Sequence, residues 1–262
     1  MIKLFFILSC LYLLFCLLLF VLQEHLIFLP EKLPRDHRFR FAQEFEEIWI
    51  ETQNQTPLHG LLFKAESAKG LIFYLHGNAG SLRSWGEVAQ TYTDLHYDVF
   101  MLDYRGFGKS EGSIASQAQL HQDVQLAYDT IKARYPENQI VVLGYSVGSG
   151  LAAKLAASNA PRLLILQAPF YSMTDLMKHT FPIVPTILLK YKMKTHEYLK
   201  ACRMPVILFH GRQDEVIYYG SSLKLRKFLK PTDTLITLDP QAHNGMTTNP
   251  EYRKAIQEIL QK

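Results

Sequence analysis

A serine hydroxyl becomes a useful nucleophile only when a base stands ready for its proton. The stretch VVLGYSVGSG, residues 141–150, is an apolar run that breaks at Gly144, shows Ser146 and continues with small residues. Gly144-Tyr145-Ser146-Val147-Gly148 fits G-x-S-x-G, the nucleophile elbow that holds a serine in a strained turn from strand to helix. Such a turn brings the two backbones so close that positions two before and two after the serine must be almost bare. Gly144 and Gly148 meet that need. The helix N-terminus is then aimed at the serine, where its N–H groups favour developing negative charge. The chemistry implied is acyl transfer to a serine.

The base must come later if the order is serine, acid, histidine, with the last two on loops after late strands. Of ten histidines, His179, His196, His210 and His243 follow Ser146, and only His243 lies beyond TLITLDP (234–240). It is the expected base. His210 ends an apolar run and is expected to pack or hydrogen-bond there. Asp214 directly follows PVILFHGRQ and is the expected acid, with Glu215 and Asp239 as rivals; Glu215 is expected to point elsewhere. An oxyanion hole needs two backbone N–H groups. Val147, next to the nucleophile, would give one. The glycine-rich turn HGNAG (76–80) would give the other, from Asn78 or, as substitute, Ala79; His76 is expected only to brace that loop.

These residues need a scaffold. Apolar runs at 71–77, 98–106, 139–145, 163–169, 205–211 and 234–240 alternate with helical stretches near 84–95, 116–135 and 147–158. Runs this apolar, each followed by helical periodicity, predict an α/β fold: a mostly parallel sheet covered by helices on both faces. Two earlier strands, 45–52 and 58–65, flank the turn QNQTP. Residues 170–200 break the rhythm and read as a short cap insertion of small helices.

The composition excludes other classes. With 262 residues, 48% hydrophobic and 20% charged, the chain suits one large catalytic domain. Net charge is +4, with Lys and Arg dispersed, so no nucleic-acid footprint emerges. Three cysteines make no disulfide framework, and no spacing suggests a metal site or a cofactor. GFGKSEG (106–112) contains the GKS of a phosphate loop, but Asp103 stands where a Walker glycine is needed.

The N-terminus departs from globular composition. Residues 4–22 carry no charge, and 19 residues of helix cover roughly 30 Å, the thickness of a bilayer's hydrocarbon. No small-residue cleavage site follows, so an uncleaved single-pass anchor over 1–24 is expected, then a juxtamembrane linker over 25–44 and the catalytic domain over 45–262. Lys32, Arg35, Arg38 and Arg40 after the helix, against Lys3 before it, favour a cytoplasmic domain. The anchor is expected to hold the domain at the membrane and contribute nothing to the triad.

With HGNAG (76–80), DYRGFGKSEG (103–112), GYSVGSG (144–150), HGRQDEV (210–216) and AHNGM (242–246) in place, the chain resembles the α/β-hydrolase superfamily from 45 to 262. More narrowly it is similar to the membrane-anchored hydrolases of the bud-emergence and abhydrolase-domain type. In those a stretch like HLIFLPEKLP (25–34) follows the anchor. The resemblance implies Ser146, Asp214 and His243 as a triad that works without a cofactor. Such proteins are labelled prolyl-oligopeptidase-like or serine-aminopeptidase-like, although several act on acyl esters and thioesters. A departure lies in DEVIYYG (214–220), where relatives often have proline after DEVI; it is expected to alter only the rim. The insertion pairs FPIVPTILL (181–189) with Lys178, Lys190, Lys192, Lys194 and Lys200. An apolar, basic cap suits an acyl ester, thioester or lipid substrate at a membrane more than a peptide amide. A non-enzymatic, membrane-tethered interaction protein would be the other class of reading.

Overall fold

The computed structural model describes residues 1–261. The chain opens with α1 (Ile2–Ile27), whose side chains are mostly apolar and mostly exposed over its first twenty residues. Among the described residues it is the one helix long and apolar enough to cross a membrane. It ends at Phe28, which is extended, just before the two-residue strand β1 (Leu29–Pro30); proline disfavours helix in the residue before it. Next come β2 (Phe45–Glu51), β3 (Pro57–Phe63), β4 (Gly70–Leu75), β5 (Ala79–Gly80), the short helices α2 (Leu82–Trp85) and α3 (Gln90–Thr93), and β6 (Tyr97–Asp103). The remainder alternates: α4 (Gln117–Lys132), β7 (Ile140–Tyr145), α5 (Val147–Ser158), β8 (Leu163–Gln167), α6 (Met173–Thr180), α7 (Thr195–Leu199), β9 (Val206–Gly211), α8 (Gly220–Leu225), β10 (Thr234–Leu238) and α9 (Pro250–Gln261).

Eight strands form one sheet in the order β10-β9-β8-β7-β4-β6-β3-β2. β2 and β3 pair antiparallel, β3 meets β6 antiparallel, and every other neighbour is parallel. The parallel strands are apolar throughout because both faces are covered. Along β4, Leu71, Phe73 and Leu75 join the core under α4 and α5, while Ile72 and Tyr74 face the opposite core with Tyr252 and Ile256 of α9. The period of two sorts one strand into both cores. On the edge strand β2, by contrast, buried Ile48 and Ile50 alternate with exposed Glu47, Trp49 and Glu51.

Two stretches differ from the sequence expectation. The helix near 84–95 is divided into α2, a 3₁₀ turn and α3, with the ring of Phe41 pressed onto the bare backbone of Gly86. The segment after α1 is no free linker. The Leu29 N–H donates to the carbonyl of Asn78 (2.8 Å) and the Glu31 N–H to that of Gly80 (2.9 Å), so β1 lies parallel to β5. Leu33 and Gly108 continue the strap, and Phe39 is buried with its ring stacked on His59.

The fold depends on α5 lying tightly against β4. A Cβ on Gly148 would stand 2.0 Å from the carbonyl oxygen of Leu75, a backbone atom that cannot swing aside. Gly148→Ala should therefore cost about 1–3 kcal/mol as an overpacked contact. At about 2–4 °C per kcal/mol in a domain of this size, the loss should be visible in thermal circular dichroism. An unchanged midpoint would contradict this packing.

Candidate active site

Ser146 sits between β7 and α5 with φ 52° and ψ −120°, in the positive-φ region that side chains avoid. Its N–H donates to the carbonyl of Gln167 (2.9 Å), and its carbonyl accepts from Ser149 (2.9 Å). A Cβ on Gly144 would meet the Gly148 carbonyl oxygen at 2.3 Å, so both glycines of the motif answer to close backbone approach. Val147 opens α5, where an N–H has no carbonyl four residues back to bond.

Asp214 follows β9 in a tight turn. One carboxylate oxygen accepts from the N–H groups of Val216 (2.9 Å) and Ile217 (2.7 Å); the other accepts from His243 Nδ1 (2.8 Å) and lies 3.3 Å from His210 Nε2. Burial alone would raise this carboxyl. Hydrogen bonds from His210, His243 and the Ile217 N–H outweigh it and hold the group well below the usual carboxylate range. His210 is fixed in turn: Nε2–H reaches the Ile217 carbonyl (2.8 Å), and Nδ1 accepts from the Ser222 hydroxyl (2.6 Å). So His210 does hydrogen-bond at its strand end, and its partner is the turn that carries Asp214.

The loop carrying His243 is held by two residues to which the sequence reading gave no such role. The Tyr145 hydroxyl donates to the His243 carbonyl (2.7 Å), and the two rings lie 5.2 Å apart. Glu215 does not point elsewhere: its carboxylate accepts the His243 N–H (3.2 Å). Only an aromatic hydroxyl beside the serine and a second acid beside the first hinted at these roles. Asp239, the other rival acid, pairs with Arg212 at the surface. Tyr218, the residue after DEVI, donates to Asp175 of α6 and stacks on His179, so it ties the Asp214 turn to α6.

The loop after β4 is braced on several sides. His76 is fully buried; its Nδ1–H donates to the Gly77 carbonyl (2.8 Å), and the Tyr104 hydroxyl donates to the His76 carbonyl (2.9 Å). Burial pushes its pKa down to about 4, so the ring is neutral and serves the loop's shape. Asn78 lines the same cavity as Ser146 and Val147, whereas Ala79 is exposed in β5.

That cavity holds about 620 Å³. Met173, Leu176 and Met177 of α6 form one wall, and Phe15, Leu19 and Gln23 of α1 form another. The sequence reading gave α1 no part in the triad, and no triad residue comes from it, but α1 also walls the cavity beside Ser146, a role that reading did not include. A two-residue strand and helical positions already read as membrane-spanning gave no sign of a second role. Among the described residues, no carboxylate lines this space.

Comparison with known proteins agrees with this architecture. The bem46 protein of Schizosaccharomyces pombe is 32% identical over 190 residues, covering 68% of this chain and 63% of that protein. The lysophosphatidylserine lipase ABHD12 of Xenopus tropicalis is 27% identical over 277 residues, covering 88% of this chain and 71% of the relative. The crystal structure of the Pyrococcus furiosus esterase Pf2001 shares the fold at a TM-score of 0.72 and 18% identity, over 90% of this chain and 97% of its own. The sequence model of the serine aminopeptidase family S33 matches residues 66–200, just over half of the 262. The chain belongs to that family, has the α/β-hydrolase fold, and is similar to the bem46 and abhydrolase-domain proteins, spanning a little under two thirds of the length of bem46.

Proposed function

We propose that this protein is a membrane-anchored serine hydrolase that cleaves carboxylic ester or thioester bonds in acyl or lipid-like substrates. The observation that carries the reading is Ser146 lining an apolar cavity, with a hydrogen-bonded His243–Asp214 pair held by its neighbour Tyr145. An aminopeptidase needs an acidic group to receive the substrate's ammonium; the cavity offers none, which favours acyl esters over amides. The esterase and lipase relatives support the same substrate class. Residues 1–24 would form the membrane anchor, 25–44 the packed connection and 45–262 the catalytic domain. The charge excess after the helix favours the cytoplasmic side.

In this mechanism Ser146 Oγ attacks the acyl carbon as His243 Nε2, the ring nitrogen not engaged by Asp214, takes the hydroxyl proton. Asp214 fixes the Nδ1–H tautomer and stabilises the imidazolium. The N–H groups of Val147 and Asn78 receive the oxyanion, which collapses to an acyl-enzyme as His243 gives the proton to the leaving alcohol or thiol. Water, activated by the same histidine, then releases the acid.

Ser146→Ala should lower kcat by about a millionfold and abolish fluorophosphonate labelling while the fold persists. Residual turnover of a p-nitrophenyl ester within tenfold of wild type would show that another residue is the nucleophile.

The acid is tested by a trio of variants. Asp214→Asn should cost on the order of 10⁴ in kcat, because an amide can donate to the ring and select the wrong tautomer. Glu215→Gln keeps an oxygen for the His243 N–H and should stay within about tenfold. Glu215→Ala leaves that N–H without an acceptor, at a cost of about 1–3 kcal/mol, and should fall between the two. A Glu215→Gln enzyme more crippled than Asp214→Asn would reverse the assignment.

A further inference from the structure

We infer that α1 is the outer wall of the acyl site, and that Phe15 and Leu19 set the length of acyl chain the enzyme accepts; this rests on the reading of Ser146 as a hydrolytic nucleophile. The cavity runs from Ser146, Asn78 and Ile27 at one end to Phe15 at the other. Ile27 and Phe15 are twelve residues apart on one helix, about 18 Å at ~1.5 Å per residue. A slot of that length beside a nucleophile fits a long chain lying parallel to α1.

The facing wall is α6 and the uncharged stretch after it, and this wall is fastened to α1 by specific bonds. Gln23 Nε2 donates to the Leu188 carbonyl (3.0 Å), and Gln23 Oε1 accepts from the Lys190 N–H (2.8 Å). Farther along the helix, the Tyr12 hydroxyl donates to the Ile183 carbonyl (2.8 Å). Backbone polar groups within hydrocarbon must find partners inside the protein. This stretch goes far to meet that demand: Val184 donates to Phe181, Leu188 donates to Pro185, and Pro182 and Pro185 have no N–H to satisfy. Its outward side chains Phe181, Ile183 and Ile187 are exposed and apolar. A face of that kind, bonded to the middle of a membrane-spanning helix, enters the same hydrocarbon layer.

Charge marks where that layer ends. Lys190 pairs with Glu24 (3.1 Å), just past the last uncharged turn of α1, and Lys192 and Lys194 follow on the exposed surface. The far end of the slot therefore lies within the leaflet, and the ester end lies near its polar boundary. Phe15 and Leu19 occupy the deep half. Side chains there meet only the distal carbons of a long chain and nothing of a short one.

The test uses the full-length protein in detergent micelles, with the p-nitrophenyl esters of stearate, palmitate and butyrate as probes. In Leu19→Trp the palmitate-to-butyrate ratio of kcat/KM should fall by at least about tenfold, the scale set by displacing one or more methylenes from an apolar site. Phe15→Ala, which only removes bulk, should raise the stearate-to-palmitate ratio by about threefold or more. Leu17→Trp, on the exposed side of α1 and outside the cavity, should leave both ratios within about twofold. Fluorophosphonate labelling reports whether each variant is folded, and should Leu19→Trp not label, Phe15→Ala decides. Unchanged ratios in labelled variants, or an equal shift in Leu17→Trp, would overturn the inference. A wild-type enzyme that cleaves neither ester and takes no probe would instead sink the hydrolase reading, and this inference with it.

Discussion

The approach of α5 to β4 and β7 is the constraint on which the site depends. Where Gly148 nearly touches the Leu75 carbonyl and Gly144 the backbone of α5, no other residue type fits, and the chain can turn only through a strained Ser146. That strain costs of order 1–3 kcal/mol. It is offset by burial along the same interface, where Leu151, Ala152, Ala153, Leu155 and Ala156 are almost wholly removed from water. Alanine dominates there because the gap is too narrow for larger side chains. The carbonyls that Gly148 faces belong to Leu75 and His76, at the root of the Asn78 loop. One contact therefore fixes the serine, the N-terminus of α5 and that loop together.

A loop holding a histidine opposite such a turn cannot be left free, and His243 is bound from several directions. Asp214 takes the ring, Glu215 the N–H and Tyr145 the carbonyl. Gln241 donates to the carbonyls of Ala242 and Asn244, closing the loop on itself. Each bond is ordinary in strength, but together they restrict the ring to one orientation, which is what a positioned base requires. Asp214 is anchored as firmly, through two backbone N–H groups and His210.

Much of this was legible in the sequence. The parallel strands announced themselves because burial on both faces makes them continuously apolar, and the elbow because close backbone contact leaves glycine as its mark. Chain order made Asp214 and His243 the expected acid and base for Ser146, and those two are joined by a hydrogen bond in the structure. The supports were hidden for a physical reason. Tyr145 and Glu215 act through atoms that meet His243 nearly a hundred and nearly thirty residues away, and neither periodicity nor local spacing records such pairings. The strap at β1 was hidden differently: two residues cannot show an alternation, so a hydrogen-bonded segment looked like a linker.

That strap changes what the proposed membrane attachment would mean for this protein. A flexible linker would let the domain rotate against its anchor, and its attachment would fix only distance. Here α1 passes within two residues into backbone bonds with the Asn78 loop, while Gln23 and Tyr12 bind the cap. Helix α1, the loop and the segment after α6 are therefore in register. Successive helical positions are about 100° apart, so shifting α1 by a single residue would turn Gln23 away from Leu188 and replace the apolar wall with another face. As the proposed anchor, α1 would meet two demands at once: hydrophobicity on all sides to stay in the bilayer, and a particular side chain at Tyr12, Phe15, Leu19 and Gln23. The uniform apolar composition of a membrane helix satisfies the first demand and conceals the second.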